Sequence, residues 1–178
     1  MSADGATNQA AQWEVLKGVP PEGPAPKHFH RGRPTPSEYD FVVRFRKADG
    51  SEWIGTFQPD IFGPDEVRAW PEANAVIVYT AGNFYLFDPS DPSRYESGGP
   101  LCRPDFFLND DHTKLIVYDF GTVVAYGRDR TAIWQFEVDV GTIDWVRDVD
   151  GVITLGVRQE LKEPVVIRLS PEVGRRMG

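Results

Sequence analysis

Cysteine is nearly absent from this sequence, and its scarcity excludes a class of folds. The 178 residues include one cysteine, Cys102, which cannot form an intramolecular disulfide. A secreted fold stapled by disulfides is therefore excluded. No apolar run approaches the roughly 20 residues that a membrane-crossing helix needs, and residues 1–12 lack the basic and then apolar order of a signal peptide. These absences predict a cytoplasmic protein that does not enter a membrane.

Positive charge is also scarce. Nineteen Lys and Arg residues stand against 27 Asp and Glu, which gives a formal net charge of −8 at pH 7. Because phosphate binding needs a basic surface, this balance argues against a nucleic-acid partner. Hydrophobic residues make up 40% of the chain and aromatic residues 12%, which is enough to build a globular core.

Proline and glycine divide the chain near residue 38. Six prolines and three glycines lie between positions 18 and 36. Proline lacks an amide donor and has a fixed φ, so this stretch disfavours helices and central strands. Residues 1–38 are predicted to form an extended N-terminal arm, with a short helical turn possible over 10–17. Residues 39–178 are predicted to form a single β-repeat domain.

After residue 38, short β-branched and aromatic runs alternate with turn residues, which predicts an all-β body. The step Asp49-Gly50, for example, supplies the positive φ that a tight hairpin turn requires. The predicted strands are residues 39–46, 52–58, 67–70, 75–80, 84–87, 105–108, 114–119, 122–126, 132–137, 143–147, 152–158 and 164–169.

An internal repeat underlies these strands. Residues 75–87 can be set over residues 114–126 at an offset of 39, and the same step again leads to the VITL run of residues 152–155. A unit of about 40 residues with four short strands has the size of a propeller blade. The predicted fold is therefore all-β: propeller-like, or a partial propeller, of about three to four antiparallel blades.

The number of repeat units does not decide whether the blades form a closed ring. Three units and the hairpin of residues 39–58 make about three and a half blades, fewer than the four or more that a closed ring needs. A partial propeller, a twisted β-sandwich, and a ring completed by the arm or by a partner are the alternatives.

Residues 123–134 (VVAYGRDRTAIW) resemble the blade motif of quinoprotein-type propellers, in which a strand with alanine leads through a turn to tryptophan. The resemblance implies that Trp134 packs between neighbouring blades. Gly127 stands where that motif has an acidic residue, and the motif's Thr-Gly pair is missing. The resemblance favours a blade-like sheet and does not extend to a quinone, so no cofactor is predicted.

Few side chains could support catalysis or bind a metal. His28 and His30 could share one face of a strand, but no third ligand lies near them. His112 lies in a run typical of turns. Cys102 lies beside Arg103, which could lower its pKa, but no pattern indicates a catalytic partner. The sequence therefore predicts neither a metal site nor an enzyme.

Acidic residues are concentrated between residues 104 and 150, where ten acids stand against four bases. In a blade-like sheet the turns of successive units gather on one rim, so these carboxylates could form one acidic face with aromatic anchors. Solvated turn aspartates are the alternative interpretation. The candidate partner-binding residues are Asp110, Asp111, Tyr126, Asp139, Asp144, Trp145, Asp148 and Asp150.

Size, charge and tryptophan-containing β repeats make the chain similar in general character to the small, acidic, β-rich immunity proteins that bacteria make against their own toxins. This resemblance implies a non-enzymatic protein-binding module with a basic protein partner, bound more weakly as salt rises. One alternative is a small-ligand-binding or enzymatic propeller-like domain. Another is a homo-oligomer formed through open sheet edges, such as that of residues 164–169.

Overall fold

The computed structural model describes residues 12–30, 37–47, 49–59, 64–80, 82–98, 105–160 and 162–177. Its strands are β1 (Gln12–Leu16), β2 (Lys27–Phe29), β3 (Phe41–Arg46), β4 (Glu52–Phe57), β5 (Asp65–Trp70), β6 (Ala75–Thr80), β7 (Asn83–Asp88), β8 (Asp91–Gly98), β9 (Asp105–Leu108), β10 (Lys114–Tyr118), β11 (Thr122–Gly127), β12 (Ala132–Glu137), β13 (Thr142–Val149), β14 (Val152–Arg158) and β15 (Val165–Leu169). A 3₁₀ turn spans Pro71–Ala73. Within these ranges no helix is long and apolar enough to cross a membrane.

The chain divides into two compact units, Met1–Ser97 and Gly98–Gly178, here called the N-terminal and C-terminal units. The N-terminal unit holds a first sheet, of order β1-β3-β4-β2, and a second sheet, of order β5-β6-β7-β8. The C-terminal unit holds a third sheet, of order β12-β11-β10-β9, and a fourth sheet, of order β13-β14-β15. These small, mostly antiparallel sheets confirm the predicted all-β, propeller-like class.

The predicted repeat corresponds to equivalent strands of successive sheets. The aligned segments of residues 75–87 and 114–126 form β6–β7 and β10–β11, the two central strands of the second and third sheets. The third occurrence, at residues 152–155, lies in β14, the central strand of the fourth sheet. The repeat is therefore confirmed, and each of its occurrences corresponds to one sheet.

Two strands of the first sheet come from the segment predicted to be an arm. The helical turn predicted for residues 10–17 is wrong over its described part, because Gln12–Leu16 forms β1 and pairs antiparallel with β3. Trp13 packs against the core of this unit, so tertiary packing outweighs the local preference. The β2 strand pairs with β4 in parallel. The β3–β4 hairpin, which by sequence alone makes half a blade, is thus the centre of a four-stranded sheet.

The core of the N-terminal unit is built mainly from aromatic rings. Phe29 on β2 stacks against Phe57 with ring centroids 4.6 Å apart and against Phe87 at 5.5 Å. Phe45 stacks on Trp53 at 4.4 Å. The segment around the two histidines is therefore fixed by the buried phenylalanine between them, since burying one such ring contributes about 1.5–3 kcal/mol.

Trp134 lies in the core between the third and fourth sheets, packed with Ile116 and Ala125 from one sheet and Leu155 from the other. This is where the blade resemblance places it. Its indole N–H donates to the carbonyl of Pro171 at 2.7 Å. The N-terminal unit repeats the arrangement, because the Trp53 indole donates to the carbonyl of Pro89 at 3.0 Å.

Three hairpin turns combine the pattern Asp-x-Ser/Thr with a middle residue of positive φ, and in each the aspartate accepts hydrogen bonds from the N–H and hydroxyl of the residue two positions later. The N–H distances are 2.8 Å for Asp49, 2.9 Å for Asp111 and 3.1 Å for Asp129. The middle residue of each turn has positive φ, including His112 at 55°. His112 is therefore confirmed as a turn residue, and these carboxylates stabilise hairpins.

The turn aspartates give the fold an acid-sensitive contribution to its stability. Hydrogen bonds from Ser51, Thr113 and Thr131 lower the pKa of Asp49, Asp111 and Asp129 below the ordinary 3.8. A carboxyl group whose pKa is lower in the folded state contributes stability that is complete well above pH 3.8 and is lost as pH falls through the folded pKa. We expect the urea midpoint to fall steeply below about pH 4.

The control for this prediction is the triple variant Asp49→Asn, Asp111→Asn and Asp129→Asn, which keeps an oxygen acceptor in each turn but cannot titrate there. Its urea midpoint should depend less on pH between about pH 4 and pH 2 than that of the unchanged chain. An equally steep dependence in both proteins would show that other carboxyl groups govern acid unfolding.

Candidate functional site

The C-terminal unit has two ends, defined by the turns of its sheets. The Asp110 end comprises residues 109–113, 128–131 and 150–151, and the Phe120 end comprises residues 119–121, 138–141, 159–160 and 162–164. At the Asp110 end, the backbone N–H of Asp110 donates to Asp148 Oδ2 at 3.2 Å. At the Phe120 end, the N–H of Ile143 donates to the carbonyl of Phe120 at 2.7 Å. At each end, a hydrogen bond therefore joins the two sheets.

Four of the candidate carboxylates lie at the Asp110 end, and three of them belong to residues with structural roles there. Asp111 is held in its turn, as described above. Asp150 has a positive φ of 52° and forms the β13–β14 turn with Gly151, at 76°. Asp148 accepts the Asp110 N–H through Oδ2, whereas its Oδ1 is buried with no hydrogen-bond partner among the described residues.

Asp139 and Asp144 lie at the other end of the same sheets. Asp144 is the extra residue of a β-bulge between Ile143 and Trp145, and its carboxylate pairs with the Arg158 guanidinium at 3.1 Å. Six residues of extended chain separate Asp144 from Asp150, which is about 20 Å. The structure therefore does not bring the candidate carboxylates into one rim.

The two candidate aromatic residues are poorly placed as anchors at either end. Tyr126 is 8% exposed within β11. Trp145 is partly buried against Gly156, where a β-carbon would lie 2.4 Å from the indole ring. Neither ring stands free in a turn.

Sequence reasoning missed two exposed apolar residues at the Phe120 end. Phe120 is 46% exposed and Val140 is 65% exposed. The Asp119 carboxylate accepts the N–H groups of Gly121 at 2.8 Å and Thr122 at 2.7 Å, which fixes the turn that presents Phe120. An aromatic residue inside an Asp-x-Gly turn is the signal that could have revealed this site, because such turns lie on the surface.

Gly141 holds Val140 in place. Its φ is +112°, and a β-carbon there would lie 2.6 Å from the Arg158 carbonyl oxygen. Only glycine adopts this backbone without strain. Between the turns of residues 140–142 and 158–160, together with Lys162, lies an open groove of about 730 Å³.

The Phe120 end is the more acidic of the two ends. Its turns and the strand residues beside them carry seven acids against Arg158 and Lys162, and the acids are Asp105, Asp119, Glu137, Asp139, Asp144, Glu160 and Glu163. The Asp110 end carries five acids against three bases, and these are Asp110, Asp111, Asp129, Asp148 and Asp150 against Lys114, Arg128 and Arg130. The excess is thus five carboxylates at one end and two at the other.

Tyr118 borders the Phe120 end as a neutral phenol. Its hydroxyl donates to Asp105 Oδ2 at 3.0 Å. Burial, and then the neighbouring Asp105 carboxylate, raise the pKa of Tyr118 to about 12. Tyr118 therefore stays protonated at neutral pH and supplies a hydrogen-bond donor rather than a base.

Within the described ranges, no three His, Cys, Asp or Glu side chains are grouped to hold a metal ion. His28 Nδ1 and Thr56 Oγ1 are hydrogen bonded at 2.7 Å, so this histidine belongs to the first sheet. Cys102 lies outside the described residues.

Comparison with known proteins does not assign the chain to a family. No protein-family model matches it, and no curated protein matches it. Among solved structures it is similar to a chain of the yeast heterotrimeric Nup82–Nup159–Nup116 nucleoporin complex, at 10% identity and a TM-score of 0.34. The match covers 60% of this chain and spans about a third (33%) of that one.

Proposed function

We propose that this chain is a non-enzymatic protein-binding module that recognises a basic protein through its Phe120 end. One observation supports this most directly. Phe120 and Val140 are both exposed on neighbouring turns of this end, and the end as a whole carries an excess of five carboxylates.

The two kinds of residue serve different parts of recognition. Apolar and aromatic side chains that become buried at an interface contribute most of the affinity. Charged residues around them raise the association rate and select a partner of opposite sign. Fixed turns also lower the entropic cost of binding, and the turn of Phe120 is held by Asp119.

In its finer form, the proposal is that the chain is a cytoplasmic bacterial immunity protein and that its partner is a toxin. The carboxylates of the Phe120 end would then occupy a basic substrate site, as an anionic substrate does when the toxin is a nuclease. This form is supported by the acidic composition and by the general resemblance to such proteins.

The test uses the protein encoded beside this chain's gene, with affinity measured at low and high salt. We expect Phe120→Ala to weaken binding by about 30-fold, which corresponds to roughly 2 kcal/mol for a central anchor. The double variant Asp139→Asn with Glu160→Gln should slow association and flatten the salt dependence, since both carboxylates are exposed at this end.

The matched control neutralises two carboxylates of the Asp110 end, Asp110→Asn with Asp150→Asn. It should leave affinity and salt dependence unchanged. A larger loss in this control would move the interface to the Asp110 end. Salt-insensitive binding of a neutral partner would remove the acidic interface altogether.

A second candidate function, binding or conversion of a small ligand, is favoured by the groove beside Val140. Its volume of about 730 Å³ lies within the range of ligand sites. A metabolite that strongly raises the unfolding temperature, with the rise removed by Arg158→Gln, would support this function over protein binding.

A further inference from the structure

The outward face of the fourth sheet is basic, opposite in sign to the acidic Phe120 end. Two cross-strand rows form this face: Trp145–Gly156–Val166 and Arg147–Thr154–Arg168. Side chains paired across neighbouring strands point to the same side of a sheet. The other side of these strands holds the core residues Ile143, Leu155 and Ile167, so the two rows lie on the side opposite this core.

Arg147 is held in a fixed orientation on this face. Gly156 has no side chain, and the indole ring of Trp145 occupies the space above it. The guanidinium carbon of Arg147 lies 5.0 Å from the centroid of the Trp145 ring. Such cation–π stacking orients the planar guanidinium while its N–H donors remain available.

The charges of this face are only partly neutralised. Arg158 is paired with Asp144 at 3.1 Å. Among the described residues no ion pair includes Arg147 or Arg168. Val166 in the neighbouring row is 57% exposed and adds apolar surface beside them. A protein with eight excess acids therefore presents two unpaired arginines beside a tryptophan and a valine.

We infer that this face binds an acidic protein segment. Carboxylates accept the paired N–H donors of a guanidinium in bidentate geometry, and Trp145 and Val166 offer apolar contact in the row beside the two arginines. Arg147 and Arg168 lie two strands apart, which is about 10 Å. A polyproline II segment with a glutamate at every third residue repeats its carboxylates at about 9 Å. Nucleic acid is the less favoured occupant, because the same unit carries the acidic Phe120 end.

The test measures binding of a fluorescent peptide of Glu-Val-Pro repeats at low salt, beside a Gln-Val-Pro peptide and single-stranded RNA. We expect the full chain to bind the glutamate peptide and neither of the other two. Arg147→Gln together with Arg168→Gln should weaken binding by at least about tenfold, as the loss of charge-assisted hydrogen bonds implies. Arg147→Lys should restore only part of the affinity lost by Arg147→Gln, because lysine cannot bind a carboxylate in bidentate fashion.

Arg128→Gln is the matched control, since Arg128 is an exposed arginine of the same unit outside this face. It should leave peptide binding unchanged. Absence of glutamate-peptide binding, or equal loss in the control, would overturn the inference. Tighter binding of RNA through Arg147 and Arg168 would assign the face to nucleic acid instead. None of these variants replaces a residue of the Phe120 end, and peptide binding and partner binding are measured separately, so failure of one proposal is distinguishable from failure of the other.

Discussion

Replacing Trp134 with alanine is expected to lower the free energy of unfolding by about 3–5 kcal/mol, the usual cost of removing a buried tryptophan. Trp134 fills the core between the third and fourth sheets and donates to the Pro171 carbonyl. A β-carbon on Gly174 would lie 2.5 Å from its indole, so the C-terminal segment packs directly on this ring. Urea unfolding followed by circular dichroism measures the loss.

Two controls separate the contributions of Trp134. Trp134→Phe keeps most of the apolar volume but loses the hydrogen bond, so its cost should be smaller and should include about 1 kcal/mol for that bond. Ile133→Ala changes the preceding residue of β12, which is 45% exposed, and should cost less than about 1 kcal/mol. An effect of Trp134→Ala no larger than that of Ile133→Ala would contradict the packing described for the C-terminal unit.

Replacing Gly141 with alanine is expected to destabilise the protein by about 3 kcal/mol. An L-residue at φ +112° carries roughly 1–3 kcal/mol of backbone strain. The added β-carbon would also lie 2.6 Å from the Arg158 carbonyl oxygen and 2.9 Å from Val157 Cγ1. Because the clash involves backbone, the 138–141 turn must shift, and binding through Val140 should weaken as well.

Gly151→Ala is the matched control for this substitution. Gly151 also has positive φ, +76°, but no atom lies within 4 Å of its expected β-carbon. It should cost about 1 kcal/mol, from backbone strain alone, and leave the Phe120 end unchanged. Equal unfolding free energies for the two variants would show that the contact with Arg158 is not decisive.

Most strands could be predicted from sequence because their signal is local. Short runs of β-branched and aromatic residues, separated by turn residues, identified β3 to β7 and β9 to β15. The strands β1, β2 and β8 were missed. Each lies in or next to a proline-containing segment and has few buried residues: in β2 only Phe29 is buried, and β8 has Pro92 in its sequence. Their pairing depends on strands elsewhere in the chain, which local propensity does not report.

The candidate site was less accessible to sequence reasoning. Local charge density correctly indicated residues 104–150 as acidic, but it could not assign each carboxylate to an end of a strand. That assignment depends on strand direction and on the bulge at Asp144. The solvent exposure of Phe120 could not be predicted from the sequence either, because an aromatic residue in a β-rich sequence is more often part of the core.

The all-β class, the 39-residue repeat and the acidic balance can be derived from the amino-acid sequence alone, because strand periodicity, turn chemistry and charge are properties of short segments. Three further relations follow only from the folded chain: Asp139 and Asp144 lie apart from Asp148 and Asp150, Phe120 and Val140 lie on neighbouring turns, and Arg147 stacks on Trp145. These relations join residues through hydrogen-bond register and sheet packing. Register is set by the whole paired sheet, and a shift of one residue would move every side chain to the other face.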